Sequence, residues 1–528
     1  MANKSRNQFN YTKIKLMRGL FVFFLWIFSF DSIAQNPFTL ERSIPENEGV
    51  SSETILKLIN NFEERVDAVH SLMILKNGKV IVEGWWDPYD NNSPHELWSL
   101  SKSFTSTAIG FAVQEKLLSI HDLVISFFPE KIPKEASWQL NQLRIVDLLT
   151  MSTGHVKEPK IYNNQSDWVS KFLNSEFEFM PGTHFMYNTP ATYMLSAILQ
   201  KVTGKNLVDY LNSRLFKPLG IQKPEWEFDP SGINTGGWGL HLKTEDIAKF
   251  GQLYLNNGKL NGREILDENW IKKATSKQVS NGSNPENDWT QGYGYQFWRS
   301  RYNSYRGDGA MGQFCLVIPE KNMVIAITSG TSNMGLVMQI IWDILIPNVT
   351  DDALVQNTKA HDLLIKKLKS LTLIEQNKKT NYDVVKKLTK EKYLITQNDQ
   401  GIKSISFDFN DGNNSIIFET KNENEKISFD FKKFKKTQIN SHLPFTNISR
   451  SQILPKSSLR YKKNQKIAST GKWLNNNELE VEVYLYETPI KMTYNFDFSE
   501  NRLILKSTAK NYLGVNNEPQ YLKSIRND

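Results

Sequence analysis

Ser99 and Lys102, in the stretch Leu97-Trp98-Ser99-Leu100-Ser101-Lys102-Ser103-Phe104, are the two side chains of this sequence best spaced to do chemistry together. Three positions apart at the start of a segment with helical periodicity, they place hydroxyl and amine on one face of a first turn. A serine attacks a carbonyl only when something takes its proton, and a lysine takes it only when its pKa is lowered. Desolvation, cationic neighbours and the positive end of a helix all lower it. Leu100, Phe104, Ala108, Phe111 and Ala112 provide an apolar flank for such burial. The string alone is weak, because a helix with a serine cap and a solvated lysine has the same letters.

Two later stretches add to it. Pro181-Gly182-Thr183-His184-Phe185-Met186-Tyr187-Asn188-Thr189-Pro190 is a Pro-Gly loop ahead of a helical pattern. A tyrosine there can point its hydroxyl into a cleft, and Tyr187 could carry a proton from Lys102 to a leaving group. Taken singly, a loop tyrosine also fits as packing with a bonded hydroxyl. Tyr305-Arg306-Gly307-Asp308-Gly309-Ala310-Met311-Gly312-Gln313 places glycines ahead of an apolar run, where a substrate can come close to the backbone. A tetrahedral oxyanion needs two backbone N–H donors, one commonly from the nucleophile and one from a strand edge. Ser99 and Ala310 are the expected donors.

The elements that must hold these groups are legible nearby. Val69 to Glu83 predicts two strands around Asn77-Gly78, a strong hairpin signal. The Ser99 helix is predicted to run to about Leu117. Val146 to Gly154 predicts a short helix closed by glycine, and His155 to Asn174, with little periodicity, predicts surface over a cleft.

Length and composition set the frame. At 528 residues the chain has room for two or three domains. Lys4, Arg6, Lys13, Lys15 and Arg18 precede the apolar run Leu20–Phe28, which is short for a bilayer span, and Ser32-Ile33-Ala34 suits a signal peptidase. Residues 1–34 are therefore expected to be a signal peptide, cleaved after Ala34, making the protein periplasmic or secreted. Contact with a membrane is expected only through that segment if uncleaved. These basic residues, set against Asp31, carry +4 of the formal +8. The remaining lysines are dispersed among carboxylates, which argues against a nucleic-acid partner. Cys315 is the single cysteine, so no internal disulfide forms. His155, His184 and His241 are isolated and no zinc spacing occurs, so neither metal nor cofactor is expected.

Together and in this order, the three stretches resemble the serine hydrolases of the class C β-lactamase, DD-peptidase and 6-aminohexanoate-dimer hydrolase superfamily. Asp147 to Gly154, Pro181-Gly182-Thr183, Gly237-Trp238-Gly239-Leu240, Asp246 to Tyr254, Gly292 to Tyr295 and Gly312-Gln313 extend the likeness over about residues 40 to 350. The resemblance implies an α/β sandwich: an antiparallel sheet flanked by helices, with a helical insert and the site at their junction. It places the acyl-forming serine on Ser99, its lysine on Lys102 and the second-motif tyrosine on Tyr187. Asn188, Thr189, Asp308 and Gly309 become the expected substrate contacts. Where β-lactamases have Tyr-x-Asn this chain has Tyr187-Asn188-Thr189, similar to the aminohexanoate-dimer and carboxylesterase-like branch. Where they have Lys-Thr-Gly it has Gly307-Asp308-Gly309, without the cation that engages a β-lactam carboxylate.

From about Asp351 a lysine-rich helical segment leads out, and alternation then takes over. Ile405-x-Phe407-x-Phe409, a turn at Asp411-Gly412, Ile427-x-Phe429-x-Phe431, Leu479 to Leu485, Met492 to Phe498 and Leu503-x-Leu505 predict a small all-β barrel or sandwich. The expected organisation is a hydrolase domain over residues 35–355 and a helical linker with a β-rich domain over 356–528. The expected function is a serine hydrolase cleaving a small-molecule or peptide ester or amide, carboxylesterase or linear amidase before β-lactamase. The competing expectation is a non-catalytic, penicillin-binding-like protein that binds a cell-wall peptide or a protein partner on the same scaffold.

Overall fold

The computed structural model describes residues 38–525, apart from 163–166, 375–387, 390, 399–400, 411–412, 421–423, 440–463, 500–501 and 511–518. The expected signal segment and the turn at Asp411-Gly412 lie outside the described residues. Among the described residues no helix is long and apolar enough to cross a membrane.

Strand β1 (Glu41–Arg42), helix α1 (Ser52–Arg65), β2 (Val69–Lys76) and β3 (Lys79–Trp85) open the fold. Asn77 and Gly78, at φ 54° and 78°, form the left-handed two-residue turn that their types favour, so the β2–β3 hairpin closes as predicted. Next come β4 (His95–Glu96), α2 (Ser101–Gln114), α3 (Thr189–Thr203), β5 (Glu225–Trp226), β6 (Leu240–Leu242) and α4 (Thr244–Leu255). β7 (Trp298–Arg299), β8 (Tyr305–Gly309), β9 (Gln313–Ile318), β10 (Met323–Ser329), α5 (Met334–Ile340) and α6 (Thr358–Lys369) complete this part.

The main sheet has the order β1-β3-β2-β10-β9-β8-β7. It is antiparallel except for β1, which pairs parallel to β3. The apolar stripes of α1, α5 and α6 share one core with this sheet, through Ile55, Ile59, Phe62, Val337, Leu364 and Ile325 among others. On the other face α4 lies so close that a Cβ on Gly251 would stand 2.5 Å from Val324 and 2.9 Å from Cys315 Sγ. Helix α2 is buried on every side from Ser101 to Ala112, the pattern of a helix inside a body rather than on its surface. Phe104 stacks on Phe250 of α4 at 3.9 Å.

In the C-terminal region, β11 (Lys392–Leu394), β12 (Ile402–Asp408), β13 (Asn414–Thr420) and β14 (Asn424–Phe429) form one meander. β15 (Lys435–Ile439), β16 (Gln465–Trp473), β17 (Glu478–Tyr484), β18 (Lys491–Asp497), β19 (Ile504–Lys510) and β20 (Gln520–Lys523) form another. Inward residues of both, such as Phe407, Phe418 and Phe429 against Val481, Tyr494 and Phe496, make a single core. Among the described residues, bridges at Asp430 with Thr470 and Ile395 with Ser524 join the sheets. Of the two predicted all-β forms, the sandwich is the one observed; among the described residues no closed barrel forms.

Candidate active site

The chain enters α2 through a single 3-10 turn, Trp98–Leu100. Trp98 sits at φ 48°, a left-handed conformation that a bulky residue holds only when its surroundings impose it. Ser99 is partly exposed while Lys102 is 1% exposed. No side chain caps this helix start, so neither a serine cap nor a solvated lysine accounts for the string.

Lys102 Nζ lies 3.0 Å from Ser99 Oγ and donates to Gly237 O at 2.8 Å. The carbonyl can only accept, so it takes one N–H and fixes the direction in which the rest of the amine faces Ser99. Burial lowers the Lys102 pKa to about 7, opposed by the carboxylates of Glu158 and Asp308. An amine so placed is part neutral near pH 7 and can accept the serine proton. Gly237 is glycine for a visible reason: a Cβ there would meet Thr189 Cγ2 at 2.5 Å.

Tyr187 hydrogen-bonds Ser99, and burial raises its phenol pKa, so the hydroxyl keeps its proton. Its ring stacks on Trp298 at 5.3 Å and meets Tyr293 edge-on at 6.3 Å. Lys102 Nζ stands 4.9 Å from its centroid. Two groups around one serine are thus pushed in opposite directions, the amine toward giving up a proton and the phenol toward keeping it.

The glycines at 307 and 309, expected to let a substrate come close to the backbone, lie within β8 itself, packed against the serine turn. A Cβ on Gly309 would stand 2.1 Å from Leu97 O, and one on Gly307 2.2 Å from Leu100 Cδ1. The missing side chains let β8 approach the Ser99 segment and bring Ala310, at the strand's end and partly exposed, beside it.

Arg306 and Asp308 project from β8 as a buried pair, Nη2 to Oδ2 2.8 Å and Nε to Oδ2 2.9 Å. Arg306 is wholly buried, donates to Asp288 O at 3.0 Å and to Ser300, and lies 4.6 Å from the Trp289 ring. Burial pushes the Asp308 carboxyl up and Arg306 pulls it down. The guanidinium is committed to these buried partners.

Asn188 is turned inward. It is fully buried, accepts from Ala191 N as the cap of α3, and donates to Thr153 Oγ1 at 3.1 Å. An asparagine cap followed by threonine and proline satisfies the open amides of a helix start, and that is how the Asn188 side chain is placed here. Thr189 is partly exposed, with its methyl against Gly237. Two features escaped the sequence reading: the Gly237 carbonyl, although its Gly-Trp-Gly string stood out, and Glu158, exposed on the segment after His155. Among the described residues no cluster of three potential metal ligands occurs.

Residues 58–337, more than half of the chain, match the Beta-lactamase family, and the chain belongs to that family of serine hydrolases. A protein of Salmonella typhimurium described as "Putative D-alanyl-D-alanine carboxypeptidase" is 23% identical over 229 residues, covering 38% of this chain and 53% of that protein. The chain thus spans about half the length of this curated relative. Among solved structures, the "Putative 6-aminohexanoate-dimer hydrolase from Bacillus anthracis" is 19% identical with TM-score 0.48, covering 62% of this chain and 88% of the other. The octameric penicillin-binding protein homologue from Pyrococcus abyssi is 15% identical with TM-score 0.47, covering 89% and 99%.

Proposed function

We propose that this protein is an exported hydrolase that cleaves a linear ester or amide through an acyl-enzyme on Ser99. The observation that carries the reading is the buried Lys102 amine, 3.0 Å from Ser99 Oγ and oriented by the Gly237 carbonyl. Ser99 Oγ attacks the carbonyl carbon as its proton passes to Lys102. The tetrahedral oxyanion rests against the N–H groups of Ser99 and Ala310. Tyr187, still protonated, gives its proton to the departing oxygen or nitrogen and is resupplied through Lys102. Water then enters, activated by Tyr187 and Lys102 together, and frees Ser99. Trp298, Tyr293 and Phe185 around Tyr187 suit an apolar acyl or alcohol portion. The commitment of Arg306 to Asp308 favours substrates without a carboxylate beside the scissile bond. Export rests on the composition of residues 1–34.

The test is intact-mass measurement of residues 35–528 after exposure to a fluorophosphonate, beside hydrolysis of a short p-nitrophenyl ester. One adduct and steady turnover are expected, both absent in Ser99→Ala. A folded protein that takes no adduct overturns the reading.

A further inference from the structure

We propose that the turn Leu485–Ile490 of the C-terminal sandwich is a positioning element for Ser99, which makes that region a working part of the active site. The proposal rests on Ser99 being the nucleophile. It begins at β4, a strand of only two residues that leads directly into the strained Trp98 and Ser99. On one side β4 pairs with β6, Glu96 opposite His241, and Leu97 N donates to Leu240 O at 2.8 Å. On its other side the preceding amide in the chain, Glu96 N, donates to Glu487 O at 2.8 Å. Two successive amides, three and two residues before Ser99, are therefore gripped from opposite edges. The C-terminal turn supplies one of the grips.

A second connection runs from the same turn to the same strand. Thr488 O accepts from Tyr89 Oη at 3.0 Å, and the Tyr89 ring stacks on His70 at 3.7 Å and 10°. His95 Nδ1 is 2.8 Å from Glu96 O, which can only accept, so this nitrogen carries the proton. His95 Nε2 is then the acceptor for His70 Nδ1 at 3.0 Å. The circuit Thr488, Tyr89, His70, His95, Glu96, Glu487 closes on itself. Tyr89 packs with Phe434, Ala468, Tyr484 and Tyr486 in a small core of its own.

The turn is built to hold its shape. Thr488 Oγ1 donates to Leu485 O at 2.9 Å and accepts from Ile490 N at 3.1 Å. Lys466 pairs with Glu487 at 2.7 Å. A left-handed tryptophan persists only where the surrounding structure over-determines it, and this double grip does so. Loosening it lets Ser99 drift from Lys102, and a displacement of about 1 Å is enough to cost up to 100-fold in rate.

The experiment uses the whole secreted chain with Thr488→Val, Tyr89→Phe, their combination, and Thr488→Ser as the conservative control. Fluorophosphonate labelling of Ser99 and the kcat and KM of a neutral p-nitrophenyl ester are measured on samples that melt cooperatively. We expect labelling and kcat to fall about tenfold in each single variant while KM stays within about twofold. Thr488→Ser should keep most of the rate, and the double variant should be no slower than the worse single one, since both cut one circuit. Wild-type labelling rates in folded Tyr89→Phe and Thr488→Val overturn the proposal. So does a loss that appears in KM and is not rescued by serine. Full turnover by Ser99→Ala overturns instead the assignment of Ser99, and is told apart in the same assay.

Discussion

Replacing Lys102 by methionine should abolish turnover and yet make the protein more stable near neutral pH. The side chain is 1% exposed and burial carries its pKa from 10.5 down to about 7. At about 1.4 kcal/mol per pH unit, the folded state is disfavoured by about 4 kcal/mol at pH 7, relative to an unfolded chain that keeps its lysine charged. Methionine removes that cost, fills nearly the same volume and leaves Gly237 O without its donor, which costs about 1–3 kcal/mol. The balance favours the variant by about 1–3 kcal/mol, a rise of a few degrees in Tm. The sign depends on pH. Because the folded pKa is the lower one, the wild type gains stability as pH rises from about 7 toward 10.5, while the variant has nothing to gain there. Below pH 7 the difference is constant; toward pH 10.5 it shrinks and then reverses, leaving only the orphaned carbonyl. Melting curves of both proteins at about pH 6.5, 8 and 9.5 read this directly. A variant that melts lower than wild type by the same margin at all three would refute the argument that Lys102 is held uncharged at a cost in stability.

Tyr187→Phe should lower kcat by about 100-fold or more while the acid limb of the rate profile stays in place, since Tyr187 supplies a proton that Lys102 does not need in order to become neutral; pH-dependent kinetics check it. Gly309→Ala should destabilise the fold by about 2–3 kcal/mol and remove activity, because the new Cβ would meet the Leu97 carbonyl at 2.1 Å and push β8 from the serine turn; denaturant unfolding measures it. Glu158→Gln should move the acid limb of kcat/KM to lower pH, because this carboxylate raises the Lys102 pKa and its removal lets the amine stay neutral further into acid. An acid limb that moves upward or stays in place contradicts that.

The parts of the site legible in sequence were those whose chemistry is local. Ser99 and Lys102 are one turn apart, and the helix between them is written in its own apolar spacing. Asn77-Gly78 names its turn because few other residues take those dihedrals. The sandwich strands alternate because each has one face on a shared core, which is visible from Leu479 to Leu485 without knowing its partner. What sequence could not provide depends on contacts across the chain. Gly307 and Gly309 read as openness, but a glycine is equally the residue that lets two backbones touch, and only the position of Leu97 and Leu100 decides between these. Asn188 has the letters of a substrate contact and the geometry of a cap. Open sheets rather than a barrel follow from how two meanders meet at Asp430 and Ile395, a matter of edges that alternation does not encode.

One strand reconciles the missing cation with a working site. Along β8 the side chains alternate, so the face that carries Gly307 and Gly309 is stripped to let the serine turn approach, and the other face carries Arg306 and Asp308. A lysine at 307 would have to displace Leu100, whose Cδ1 would lie 2.2 Å from its Cβ. The cation of the β-lactamase motif and the buried Leu100 side chain therefore compete for the same space here. With Arg306 spent on Asp308, the charges acting on Lys102 from its surroundings are the carboxylates of Glu158 and Asp308. Under the proposed function an anionic acyl group would be disfavoured there relative to a neutral one, whose oxyanion would rest on backbone amides that carry no net charge. Under the proposed function, the same close packing of β8 on the serine turn would favour acyl groups without a carboxylate.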